Sequence, residues 1–142
     1  MSKFEKTILV IDDNGINRII PGLILRPFGW SVHEAESGFE ALDLLRFNRF
    51  SYVLLDISMP NMSGVDVLFY LKKNEISKDI KCIAYTAYAV DEDINGLLSL
   101  GFDAVLLKPL TSSKLQLKCQ APIFRGFFIS LKTRQKFMSL GY

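Results

Sequence analysis

The chain has 142 residues, enough for one domain that buries a core without disulfide staples. Its 49% hydrophobic and 23% charged residues are those expected of a soluble globular protein, and no run approaches the ~18 apolar residues of a membrane span. The net charge of +2 is unevenly spread: residues 1–103 carry ten Lys/Arg against fifteen Asp/Glu, whereas residues 104–142 carry seven Lys/Arg and no acid.

Cys82 and Cys119 lie far apart with no C-x-x-C, so neither a disulfide framework nor a zinc site is indicated, and a reducing cytoplasm fits. The first six residues lack the apolar core of a secretory signal.

Thr7-Ile-Leu-Val-Ile11 reads as a buried strand that ends in Asp12-Asp13. Asn14 is a good N-cap for a first helix running to about Phe28, with Ile16, Ile19, Ile20, Leu23 and Ile24 as its apolar stripe. Pro21, inside that helix, removes one backbone hydrogen bond and should bend it. A second short strand is expected around Ser31–Glu34. Ser37-x-x-Glu40 is a capping box opening a helix that would bury Phe39, Leu42, Leu44 and Leu45.

The run Ser51-Tyr-Val-Leu-Leu-Asp56 is too short for a helix and rich in β-formers. It ends in an acid, and Met59-Pro60-Asn61 then forces a turn. Ser63-Gly64 opens a third helix, with Val65, Leu68, Phe69 and Leu71 facing inward. Ile80–Tyr85 is a fourth strand that delivers Thr86 at its carboxyl end. Asp91-Glu92-Asp93 supplies negative charge to the first turn of a fourth helix, where the helix dipole favours it. Ala104–Leu107 is a fifth strand leading to Lys108-Pro109, and Thr111 or Ser112 can cap a fifth helix that Pro122 ends.

Five strands alternating with five helices imply an α/β fold, a doubly wound parallel sheet with helices on both faces. Right-handed crossovers bring the strand ends to one edge, so Asp12, Asp13, Asp56, Thr86 and Lys108 converge on one crevice. Three carboxylates so close need a cation, and an all-oxygen set suits a hard one such as Mg²⁺, which also takes waters and a phosphate. Lys108 would neutralise a phosphate oxygen and Thr86 would donate to another. Asp carboxylates are nucleophiles toward phosphoryl groups. Formation of an aspartyl phosphate is the chemistry this set suggests.

The ordered set Asp12-Asp13-Asn14-x-x-Asn17-Arg18, Asp56-x-x-Met59-Pro60-x-Met62-x-Gly64, Thr86-Ala87 and Lys108-Pro109 resembles that of response-regulator receiver domains. These are single-domain chemotaxis-type proteins or the receivers fused to hybrid kinases, and the likeness spans about Thr7 to Gln120. The resemblance implies the flavodoxin-like strand order 2-1-3-4-5 and a receiver domain over 1–120. It implies Asp56 as acceptor of a phosphoryl group from a histidine kinase or phosphotransfer protein. Asp13, Asp56 and the backbone carbonyl of Ser58 would hold Mg²⁺, with Asp12 acting partly through water. Phosphorylation would draw Thr86 inward and repack the face made by the fourth helix, fifth strand and fifth helix.

The sequence departs from that family at Val105, where an aromatic is usual, at Tyr88 beside the site, and at Pro21. No G-x-G-x-x-G follows the first strand, and the sole histidine, His33, reads as a surface residue. Two other classes stay open at this level. One is an aspartyl-phosphate phosphatase, against which stands Ser58 where such enzymes carry a second acid. The other is a docking or dimerisation receiver that works without phosphate. Residues 121–142 are expected to form an apolar and basic extension that buries its aromatics against its own domain or a second copy. No DNA-binding or kinase domain is expected after it, so output would pass through protein contacts.

Overall fold

The computed structural model describes residues 6–75, 78–87 and 90–108. Strands β1 (Thr7–Ile11), β2 (Ser31–Ala35), β3 (Tyr52–Asp56), β4 (Lys81–Thr86) and β5 (Ala104–Leu107) form one sheet in the order β2-β1-β3-β4-β5. Every strand pairing is parallel. Helices α1 (Gly15–Leu25), α2 (Gly38–Phe47), α3 (Gly64–Lys73) and α4 (Asp91–Leu100) make the crossovers. This is the doubly wound fold expected from the alternating pattern. Central β3 is buried along its whole length, which is why its sequence is continuously apolar rather than alternating.

The alternation of side chains across the sheet makes two cores. Ile8, Val10, Leu54, Ile83 and Leu106 face α1 and meet its Leu25. Leu9, Ile11, Val53, Leu55 and Ala84 face the other way, onto Leu42 and Leu45 of α2 and Leu68 and Leu71 of α3. Only half-buried Ile94, Leu97 and Leu98 of α4 join that second layer, and none of its residues is fully buried. The expected fifth helix, Tyr88, Pro109, Cys119 and the extension 121–142 lie outside the described residues.

Local signals place the helix starts well. Asn14 Oδ1 accepts from the backbone N–H groups of Ile16 and Asn17 at 3.0 and 3.1 Å. Ser37 caps α2 through Glu40 N–H, and Ser63 with Asp66 forms a reciprocal capping box on α3. At the other end, α1 stops at Leu25 and tightens into a 3-10 turn over Arg26–Phe28, closed by left-handed Gly29. It therefore ends one turn earlier than expected, although it runs on through Pro21.

The helix faces correct the sequence reading in three places. On α1 Ile20 and Ile24 pack on the core beside Leu25, as the stripe predicts, whereas Ile16, Ile19 and Leu23 are 71%, 47% and 67% exposed and Pro21 and Gly22 are buried instead. On α2 Ala41 is buried and Phe39 is exposed; on α3 Val67 is buried and Phe69 is exposed. In each case there are more apolar residues than one face can hold. The rotation is then decided by packing against the neighbouring elements, which a pattern of polarity alone does not record.

Candidate functional site

The site lies at the carboxyl edge of the sheet, around the ends of β1, β3, β4 and β5. The register pairs Ile11 with Leu55 and Asp56 with Tyr85, so Asp12 and Asp56 come side by side as the chain leaves β1 and β3. Asp12 is fully buried and Asp56 nearly so, while Asp13 turns to solvent. Carboxylate oxygens of the three acids all lie within 4.8 Å of one another.

Lys108, one residue past β5, reaches into this acidic cluster. Its Nζ stands 2.7 Å from Asp12 Oδ2 and 3.1 Å from Asp56 Oδ1. Lys108 N–H also donates to the Thr86 carbonyl at 2.8 Å, which ties the start of the β5 loop to the end of β4. Backbone groups complete the shell: Asn14 N–H donates to Asp12 Oδ1 at 2.9 Å and Ser58 N–H to Asp56 Oδ1 at 3.1 Å. Arg18 of α1 donates to the Asp12 carbonyl and pairs with Glu34 of β2, holding the β1–α1 loop against the sheet.

The β3–α3 loop owes its course to two residues. Asn61 adopts a left-handed conformation (φ 68°) after Pro60, a region Asn tolerates better than most residues. Gly64 runs so close to the Asp56 carbonyl that a Cβ would collide with it, so no larger residue fits without moving the loop. Both sit in the stretch that the sequence marks as a turn.

Burial, with a smaller contribution from the neighbouring Asp12 charge, pushes the Asp56 carboxyl up to about 6. The Lys108 and Ser58 hydrogen bonds pull the other way without cancelling the effect. One ammonium among three carboxylates leaves the crevice short of positive charge. The donor set fits a hard divalent cation: oxygen ligands alone, two of them buried and fixed, and the third reachable from solvent.

Thus Asp12, Asp13, Asp56 and Lys108, all singled out from the sequence, meet in one crevice, with Thr86 buried one strand over from Asp56. Ser58 is exposed and contributes the N–H just described. Sequence reasoning missed Tyr85, which is fully buried with its ring centroid 4.9 Å from Lys108 Nζ. Strand alternation could have found it, since it is the last side chain of β4 on the α1 side of the sheet.

The sequence profile of the response regulator receiver domain matches residues 8–120. The chain belongs to this receiver family. The receiver is 32% identical over 106 residues to the polar-differentiation response regulator DivK of Brucella ovis, covering 75% of this chain and 86% of the relative. A CheY-like receiver domain protein from Methanospirillum hungatei superposes with a TM-score of 0.71 at 29% identity, over 84% of this chain and 94% of the other. The receiver domain of sensor histidine kinase PA1611 from Pseudomonas aeruginosa gives a TM-score of 0.71 at 27% identity, over 83% and 97%, and that structure holds a magnesium ion coordinated in its active-site cleft. The receiver described here is a two-component signalling domain whose acidic pocket fits a phosphoacceptor with Mg²⁺. Among its described residues no helix is long and apolar enough to cross a membrane.

Proposed function

We propose that Asp56 accepts a phosphoryl group from a phosphohistidine of a histidine kinase or phosphotransfer protein. The observation that carries this reading is the place of Asp56: like Asp12 it touches Lys108 and lies against two further acids, and it alone ends the central buried strand. Asp12, Asp13 and Asp56, with the backbone carbonyl of Ser58, would hold Mg²⁺. The bound ion would supply positive charge for the oxygens of the transferring group.

The chain's own groups do the rest. An Asp56 carboxylate oxygen attacks phosphorus as the P–N bond to the donor imidazole breaks, and the electron pair of that bond leaves with the imidazole nitrogen. Lys108 shifts from Asp56 Oδ1 toward a phosphoryl oxygen, while its contact with Asp12 keeps it in the crevice. Thr86 would donate to another phosphoryl oxygen. The same groups would assist loss of the phosphate to water.

Movement of Thr86 would be read by α4 and β5, and α4 is the described helix with no fully buried residue, hence the least costly to shift. The partner on the input side is a histidine kinase or phosphotransfer protein, and output passes through protein contacts without direct nucleic-acid binding. We assign the receiver domain to residues 1–120 and to the 121–142 extension a role in joining two copies. The support is composition: apolar residues with four Lys/Arg and no acid. Cys82, buried as a free thiol, accords with a reducing cytoplasm.

Incubation with acetyl phosphate and Mg²⁺, followed by intact-mass measurement, tests the assignment. Wild type gains one phosphoryl group and Asp56→Asn gains none. Undiminished labelling of that variant would sink it.

A further inference from the structure

We propose that Tyr85 is a positioning residue for Lys108, its ring forming the floor across which the ammonium is carried to the reacting oxygens. The inference rests on the reading of Asp56 and Lys108 given above and goes one residue deeper.

The sheet order explains why such a floor is needed. Lys108 follows β5, but its partners Asp56 and Asp12 follow β3 and β1. With strands ~4.8 Å apart, β1 lies three spacings, or roughly 14 Å, from β5. The lysine side chain must therefore cross β4. Alternation puts Tyr52 and Leu54 of β3, Ile83 and Tyr85 of β4, and Ala104 and Leu106 of β5 in the core that faces α1. Asp56 and Lys108 continue the β3 and β5 series by two residues each. Tyr85, in register with Asp56, is thus the residue of β4 that lies under the crossing.

The contact has the geometry of a cation–π interaction, with Nζ over the ring and 4.9 Å from its centroid. An aliphatic side chain here would leave the underside of a largely desolvated ammonium without a favourable partner. The negative face of a phenol supplies one without adding a fourth anion to a crowded crevice. It also behaves differently from the carboxylates during transfer. As Asp56 becomes an acyl phosphate its charge moves outward, and Lys108 must follow. Its contact with the ring depends on no carboxylate, so the ring holds the ammonium at one height before, during and after the step. Catalysis gains from a charge already in place, and a misplaced one is expensive.

The test is the rate of acetyl phosphate labelling of the full chain with Mg²⁺, first in variants that keep or remove the ring and then in a series that keeps its shape and changes its electrons. Tyr85→Phe should label within about twofold of wild type, and Tyr85→Leu about three- to tenfold more slowly. Phenylalanine analogues with one, two, three and five ring fluorines at position 85 should slow labelling step by step, because fluorine drains the negative face at nearly constant shape. Mg²⁺ affinity, measured by calorimetry, should stay level along the series. The dependence should vanish in a Lys108→Ala background, as a double-mutant cycle between partners requires. A packing role alone would move neither the fluorine gradient nor its dependence on Lys108. The inference is overturned if labelling is indifferent to fluorine count, or if the same gradient persists without Lys108. If wild type takes no label at Asp56 at all, the underlying assignment fails, and this inference with it.

Discussion

Asp56 carries a cost that substitution should relieve. The carboxyl is pushed up to about 6 from its ordinary 3.8, chiefly by burial. Above pH 6 the folded protein therefore holds an ionised group that the unfolded chain would ionise more cheaply. The difference corresponds to about 3 kcal/mol at 1.36 kcal/mol per tenfold. For an acid with a raised folded pKa the sign is the reverse of the usual Asp case: the folded state binds the extra proton between about pH 4 and 6, so stability falls as pH rises through that window. Asp56→Asn replaces the ion with a neutral side chain of the same shape that still accepts from Ser58 N–H, and it leaves Lys108 paired with Asp12. We expect this variant to be more stable than wild type by about 2–3 kcal/mol at pH 7.5 in EDTA, a large share of the 5–15 kcal/mol typical of a domain. At pH 4 the two should be nearly equal. Urea unfolding at both pH values measures the gap as a shift in midpoint at constant slope. Added Mg²⁺ should narrow it at pH 7.5, since only wild type keeps all three carboxylates, by about 1.4 kcal/mol at ten times the dissociation constant. A variant no more stable than wild type at pH 7.5, or a gap of the same size at pH 4, would refute the reasoning.

Asp13→Ala leaves the buried pair intact but removes the exposed ligand, so Mg²⁺ affinity by calorimetry should fall at least about tenfold; unchanged affinity would show that Asp13 is no ligand. Gly96 stands inside α4 where an added Cβ meets nothing within 4 Å, so Gly96→Ala should stabilise the protein by about 0.5–1 kcal/mol, and a loss of stability would mean the helix is not set as described. Asn14→Ala should cost about 1 kcal/mol through loss of the α1 cap, read by urea unfolding, and a neutral result would mean that water replaces the cap fully. Sedimentation of the full chain beside a version ending at Gln120 should give a dimer and a monomer; two monomers of equal stability would leave residues 121–142 without the role assigned to them.

The amino-acid sequence by itself determined the strands and what stands at their ends. Thr7–Ile11 and Ala104–Leu107 occur where the apolar runs predict, because a strand buried on both faces is legible as a short unbroken run. Asp12, Asp56, Thr86 and Lys108 are legible for the same reason: each interrupts or follows such a run, and parallel topology sends all those ends to one edge. The helix N-caps at Asn14, Ser37 and Ser63 were equally local, since a cap bonds within three residues of itself.

Only the tertiary structure decided how the helices are rotated. Ile16, Ile19 and Leu23 are as apolar as any core residue, yet they lie exposed while Ile20, Ile24 and Leu25 pack on the core, because packing against the sheet fixes the rotation and the sequence pattern records only polarity. The site has the same division. That three acids and a lysine would meet followed from the order of the strands. That Lys108 crosses β4 on the ring of Tyr85, and that burial rather than a neighbouring charge dominates Asp56, depend on distances between strands that are far apart in the chain. Such distances are set by the packing of the whole sheet, and no local run of residues carries them.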